Sequence, residues 1–317
     1  MKVVMVNDCA FVGETLLKYF PADIEKQHIK RTRGLWNKTF GVAYKILRAK
    51  GDLYHVHYLL QDCYIASHLG KKPLVGHAHG SDLRETLRSR KWGGIVKNNL
   101  KSCNKILVAQ PTTLSTAKEY NETAEYFPIP FDPQIFFPKP LPEKKPEYHV
   151  FLASAPNFSV KGTDKLLRAV SLVPEKIKVK TYNSGKDFEK TKQLAKELKL
   201  DIDFISSVPH TTMSELFWES DLVLGSFAAE RQHLDTVAIE AMASGRPVVH
   251  SVQKKFFPSC PLEELENPMA TAEIISKLLS NQNKKENRIK EQLNFVNTTH
   301  SAPVLVEKLL KIYSTLR

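Results

Sequence analysis

The 317-residue sequence predicts an α/β chain of two Rossmann-like, doubly wound domains facing across a cleft. Three observations lead there. Short β-rich runs alternate with segments of helical period along the whole chain, which calls for parallel sheets with crossover helices instead of hairpins. Residues 137–146 hold four prolines within ten positions and read as an extended, semi-rigid connector between two such halves. Open α/β sheets bind ligands beyond the carboxyl ends of their strands, so two facing sheets make the interdomain cleft the default site.

Each half supplies its own strands. The candidates are 3–7, 53–58, 74–79 and 105–109 in the first half, then 149–154, 177–182, 202–207, 222–226 and 247–251 in the second. Domains follow at 1–138 and 147–301, joined by a linker over 139–146. Val304, Val306, Leu309, Leu310, Ile312 and Tyr313 recur at helical spacing, so a terminal amphipathic helix over 302–317 is expected to pack back on the first domain.

Hydrophobic residues make up 42% and charged residues 25% of the chain, an ordinary globular composition. The four cysteines, Cys9, Cys63, Cys103 and Cys260, lack the short spacing of a zinc knuckle or redox motif and are expected to be reduced thiols. Val3 to Val6 is far shorter than the apolar core of a signal peptide, and no apolar run approaches the ~20 residues that span a bilayer. A cytoplasmic protein is expected, in which the Asn-x-Ser/Thr triplets at Asn37, Asn121, Asn157 and Asn297 arise by chance. The net charge of +12 is uneven, with 20 Lys/Arg against 12 Asp/Glu in residues 1–138. That half meets something anionic or simply stays soluble.

The most informative stretch, Asp221 to His250, reads strand, irregular loop, helix, glycine turn, strand. Asp235 and Thr236 are natural caps for a helix over about 237–244, Gly245 suits its C′ position, and Pro247 prevents continuation. A helix N-terminus then faces the strand ends, where backbone amides and the macrodipole favour an anion. Asn157-Phe-Ser-Val-Lys-Gly-Thr-Asp164 is followed by Leu166, Leu167 and Ala169. In Val75-Gly-His-Ala-His-Gly-Ser-Asp-Leu-Arg84 a strand ends in histidine, and Asp82 with Glu85 has the spacing of a capping box.

Taken together, these motifs resemble family 4 of the retaining glycosyltransferases, which have the GT-B fold. That family's signature is a glutamate, seven intervening residues, and a second glutamate in a Glu-Ala-Met-Ala-x-Gly-x-Pro-Val stretch. Glu240-Ala-Met-Ala-Ser-Gly-Arg-Pro-Val248 matches the latter. The resemblance implies a nucleoside-diphosphate sugar as donor and a second domain that binds it. Glu240 would accept hydrogen bonds from the ribose, Asp235, Thr236 and Val237 would face the diphosphate, and Lys161 with Gly162 would supply charge and close approach. The first glutamate of the signature falls on Gln232, and the glycines that usually follow are replaced by His233 and Asp235. Ala155 stands where many members carry an arginine. Lys186 is the candidate for extra charge, and Glu230 for the missing carboxylate.

On the acceptor side the resemblance implies His79 nearest the reacting bond, with Gly13 and Asp82 beside it, and a glycan or lipid-linked hydroxyl acceptor. The expected chemistry is displacement at an anomeric carbon with retention, the departing phosphate helping to deprotonate the acceptor. No cofactor and no metal are expected. Asp201 and Asp203 are explained by a turn, and His55, His57 and His77 on neighbouring strands are weak metal candidates. Basic residues interleaved with Trp36, Phe40, Ala43 and Leu47, and again Arg84, Arg88, Arg90 and Lys91 beside Trp92, suit an anionic membrane surface at its inner face. An amphipathic crossover helix with a solvated basic face explains the first group equally well. Nucleic acid is not expected. Gln232 and Ala155 motivate a rival reading as a catalytically impaired binding or partner subunit. A sugar-nucleotide epimerase is a further alternative.

Overall fold

Two separate parallel sheets organise the chain. The computed structural model describes residues 1–31, 40–143, 146–227 and 233–316, which form two units, residues 1–130 with 302–316 and residues 131–301. Gln232, Glu230, Trp36 and Asn37 lie outside the described residues.

The first unit contains β1 (Lys2–Val6), β2 (Glu25–Ile29), β3 (Leu53–His57), β4 (Leu74–Ala78), β5 (Lys105–Val108) and β6 (Glu125–Tyr126). They stand in the order β2-β1-β3-β4-β5-β6, every pairing parallel. Around them lie α1 (Val12–Lys18), α2 (Val42–Arg48), α3 (Gln61–His68), α4 (Ser81–Arg84), α5 (Gly93–Ser102), α6 (Leu114–Lys118) and, from the far end of the chain, α14 (Ala302–Ser314). Residues of β3 and β4 are buried one after another because both sheet faces are covered. Val4, Val56 and Ile106 pack with α2, α3 and α5 on one face, while Val3, Met5 and Leu53 pack with α1 and α14 on the other. Leu305, Val306, Leu309, Ile312 and Tyr313 are the buried stripe of α14, and Val304 is exposed.

The second unit contains β7 (Tyr148–Leu152), β8 (Ile177–Tyr182), β9 (Asp201–Ile205), β10 (Leu222–Leu224) and β11 (Val248–Val249), in the parallel order β11-β10-β7-β8-β9. Its helices are α7 (Phe158–Lys161), α8 (Thr163–Ser171), α9 (Phe188–Glu197), α10 (Met213–Trp218), α11 (Thr236–Ala243), α12 (Pro268–Ser280) and α13 (Gln282–Thr299). Val150, Leu152 and Leu224 pack with α8 and α12 on one face, and Phe151 meets Phe217 of α10 on the other. The buried Gln292 side chain pairs with both backbone polar groups of Val248, satisfying the edge strand β11.

Four expectations are corrected. The first unit ends at Pro130, not at 138: Phe131 donates its N–H to His300 O, and Phe136 packs on Phe217 within the second unit. The proline segment is not a free connector over 137–140, because the buried Arg246 guanidinium donates to Lys139 O and Pro140 O, and Trp218 Nε1 donates to Phe137 O. Asp82 lies inside α4 and forms no capping box; its carboxylate reaches back to the amides of Gly80, His79 and Leu59. Asp201 and Asp203 sit on the exposed side of β9 and not in a turn. Strands β2 and β6 were not anticipated, since Glu-Lys-Gln-His-Ile and a two-residue edge carry too little apolar signal.

Candidate functional site

In each sheet the chain reverses its winding direction once, between β1 and β3 in the first and between β7 and β10 in the second. Loops diverge from the strand ends at such a point and leave a crevice.

At the second switch point, the loop after β7 turns through α7. Asn157 caps that helix, its Oδ1 accepting from Val160 N at 2.9 Å, and Gly162 ends it with a left-handed φ of 63°. A Cβ at Gly162 would stand 2.5 Å from Phe227 O, so only glycine lets this turn close on the segment after β10. The closure is sealed by Phe227 N donating to Lys161 O at 2.7 Å. Lys161 thereby arrives beside α11, where its Nζ lies 2.5 Å from Asp235 Oδ2. The other oxygen of Asp235 is 3.0 Å from His233 Nε2. Burial pushes the Asp235 carboxyl up, but Lys161, His233 and His250 outweigh it and hold the group well below the usual carboxylate range.

Asp235 occupies the N-cap position of α11, as the sequence suggests, yet its side chain makes no capping hydrogen bond. Thr236 and Val237 form the first helical turn, half-buried. On the same helix Glu240 is 3% exposed and accepts from His210 Nε2 at 2.7 Å. Burial raises its carboxyl above the ordinary value, opposed by His210. His210 was missed by the sequence reading; a lone histidine between a strand and a short helix carries no signal until the fold turns it onto Glu240. Lys186 is exposed in the loop after β8, which is tied to α7 through Asp187 Oδ2 and Phe158 N, but among the described residues no contact joins it to Lys161 or Asp235.

The first switch point has paired imidazoles where the second has an ion pair. Asp8 accepts from Gly13 N at 2.8 Å and Glu14 N at 3.1 Å, so the start of α1 already has its own anion. Gly13 is needed for space, since a Cβ there would come 2.9 Å from His57 Nε2. His79, at the end of β4, shares a hydrogen bond of 2.9 Å with His57 Nδ1 and lies against Tyr58. Behind them His55 pairs with Tyr313 Oη at 2.5 Å and with His77 Nδ1 at 3.1 Å. Burial lowers all four imidazoles, His57 to about 4, so they are neutral near pH 7. The Cys9 thiol beside Tyr58 is pushed up to about 11 by burial. His55, His57 and His77 bring ring nitrogens within 4.8 Å of one another. An ion must lie in the plane of each ring it binds, and the His55 and His57 rings are stacked at 21° and 4.8 Å, so they share no such point without rotating.

Among solved structures the chain is similar to HepE of Anabaena in complex with UDP and glucose, with a TM-score of 0.75 and 15% identity over the whole of both chains. It is also similar to a point-mutant form of S. aureus TarM in complex with fondaparinux, alpha-GlcNAc-glycerol and UDP, at a TM-score of 0.61 and 17% identity over 82% of this chain and 55% of that one. A third is the UDP-GlcNAc 2-epimerase of Neisseria meningitidis bound to UDP-GlcNAc, at 0.62 and 10% identity over 99% and 100% of the two chains. These likenesses, with the two parallel sheets, give the two-domain Rossmann-like GT-B fold. No curated protein sequence matches the chain. Residues 134–294, just over half of the chain and the part that builds Lys161, Asp235 and Glu240, match the family of glycosyl transferases group 1, and the chain belongs to that family.

Proposed function

We propose that this protein is a retaining glycosyltransferase of the family 4 type, moving a sugar from a nucleoside-diphosphate sugar to a hydroxyl of a glycan or lipid-linked acceptor. The observation that carries this reading is the meeting of a lysine and the α11 N-terminus at the switch point of the second sheet, inside the segment that defines the family. Lys161, Gly162 and the amides of Thr236 and Val237 hold the diphosphate, where oriented dipoles and one cation stabilise the charge that develops on the leaving group. Glu240, held by His210, accepts from the ribose hydroxyls. Residues 1–130 bind the acceptor, and His79, a neutral imidazole half-buried at its strand end, hydrogen-bonds the transferred sugar beside Gly13 and Asp82. The bond from the anomeric carbon to the phosphate oxygen breaks with its electron pair on that oxygen, the acceptor hydroxyl oxygen bonds to the anomeric carbon, and the departing phosphate takes the hydroxyl proton. The transfer needs no metal.

A lipid-linked acceptor is supported by α2 and Phe40, two residues before it. Phe40, Tyr44 and Leu47 are 66%, 62% and 54% exposed on one stripe, flanked by Lys45 and Arg48, while Val42 and Ile46 face the core. Aromatic and basic groups in one exposed strip suit an anionic bilayer surface. Among the described residues no helix is long and apolar enough to cross a membrane. Co-sedimentation with phosphatidylglycerol vesicles but not with phosphatidylcholine vesicles is expected, and equal pelleting with both removes the membrane from the reading.

The central test is a calorimetric panel of UDP-, GDP- and ADP-sugars against the wild type and Glu240→Ala, with UDP first because HepE and TarM hold it in the structures above. One donor bound by the wild type and lost in the variant is expected. No binding to folded protein favours the second reading, an impaired GT-B subunit, which the ion pair on Lys161 and Gln232 in the signature position also support.

A further inference from the structure

We propose that Asp235 is an internal substitute for the donor's phosphate, holding Lys161 closed until a diphosphate displaces it, and so sets donor affinity. The proposal rests on the donor-site reading above and adds the regulation of that site. An aspartate at an N-cap ordinarily turns its carboxylate onto the free amides of the first helical turn. Here the backbone is in the N-cap position, with φ −82° and ψ 150°, but the carboxylate leaves those amides and spans Lys161 and His233 instead. Two consequences follow from charge alone. The lysine that would meet an anion already has one, and the pair is neutral, so at this turn it is the helix amides that are left to attract a diphosphate.

The geometry allows exchange. The Asp235 side chain is 9% exposed while that of Lys161 is 25% exposed, so the ammonium is reachable from solvent even though its partner is not. Lys161 leads into Gly162 and a turn fixed by Phe227, which holds its Cα while leaving the long side chain to swing. When phosphate takes the ammonium, Asp235 keeps His233 through Oδ1, and His233 is anchored by its carbonyl, which pairs with His250 Nε2 at 2.9 Å. A lysine competent for phosphate only a tenth to a hundredth of the time weakens the apparent donor affinity about 10- to 100-fold. Removing the carboxylate charge lifts that restraint.

The test is calorimetry with two probes, UDP and inorganic pyrophosphate, on the wild type, Asp235→Asn and Lys161→Met. Asp235→Ser serves as a second neutral variant that retains a side chain able to cap α11, and circular dichroism checks that each is folded. Both neutral variants are expected to bind both probes about 10-fold tighter or more, with the gain absent from a Lys161→Met background. UDP bound equally, or more weakly, by the neutral variants overturns the latch and leaves the donor site standing. Pyrophosphate bound more tightly by the variants while UDP binds none of them upholds the exchange at Lys161 and overturns the nucleotide reading. If neither probe binds any folded form, both fall.

Discussion

At the end of the first sheet His57 and His79 meet as neutral imidazoles 2.9 Å apart, whereas at the same place in the second sheet Lys161 and Asp235 meet as ions at 2.5 Å. The two units share a winding pattern and differ in how they treat charge. In the first, burial strips the histidines of their protons and Asp8 already satisfies the amides of α1, so the crevice offers neutral hydrogen-bonding groups of the kind that suit hydroxyls. In the second, the amides of α11 receive no hydrogen bond from the Asp235 side chain and a lysine stands beside them, the arrangement that suits a phosphate. One topology thus supplies two chemistries through the residues that follow its strands.

The largest effect expected within this contrast is at Gly162. Alanine there must adopt a φ of 63° and place its Cβ 2.5 Å from Phe227 O, costing on the order of 3 kcal/mol and opening the Lys161 turn. Hydrogen exchange should show faster opening in the second unit alone. Gly70 is the control in the first: φ is 66° but nothing lies within 4 Å of a Cβ, so Gly70→Ala should cost about 1 kcal/mol and leave UDP affinity unchanged. Equal costs at the two sites would show that the contact with Phe227 is not what requires glycine.

The division of labour itself is tested by Glu240→Gln and His79→Ala. Loss of a charged acceptor at Glu240 should weaken UDP binding by about 2 kcal/mol, near 30-fold. His79→Ala should lower turnover and leave UDP affinity as it was. Reversal of these two outcomes would break the assignment of donor and acceptor sides.

Acid should separate the units more gently. The folded-state values of His55, His57, His77 and His79 lie below the ordinary 6.5, so the stability associated with their neutral forms is full above that pH and is lost as pH falls from 6.5 through about 4 at His57. Asp82, raised by burial, offsets part of this. In the second unit Asp235 is held below its ordinary 3.8, so its contribution persists down to that pH and is lost only beneath it. Glu240, raised by burial, gains relative stability on acidification, while His250, lowered by burial, opposes it as one histidine set against four in the first unit. Hydrogen exchange at pH 5 should therefore find the first unit loosened before the second, and simultaneous loosening would refute the comparison.

Much of this was legible in the sequence where signals were strong. Val3 to Val6 and Leu222 to Leu224 are apolar runs, Leu53 to His57 joins Leu, Tyr and Val with two histidines, and each proved a buried parallel strand. Glu25 to Ile29 escaped because a half-exposed edge strand needs no apolar face. The helix after Asp235 was readable because its caps, Gly245 and Pro247 stand at fixed offsets, and the Lys-Gly turn was readable through its resemblance to a family motif. His210 was not readable, since its meaning depends on Glu240, thirty residues away, facing it. The histidines of β3 and β4 alternate visibly, but whether they bind an ion, titrate or simply pack depends on ring orientation and burial.

The sequence by itself determined what is local: two sets of parallel strands, the glycine that follows Lys161, a helix over about 237–244 behind the caps Asp235 and Thr236, and the residues able to carry charge. Only the tertiary structure decided which charges meet. Asp235 has the sequence position of a helix cap, and by local physics it should bind its own amides. Closure of the Gly162 turn against Phe227 brings Lys161 within 2.5 Å, and a full ionic partner held in a buried site outcompetes the partial charges of the helix end. That choice depends on a residue 74 positions away, which sequence spacing does not encode.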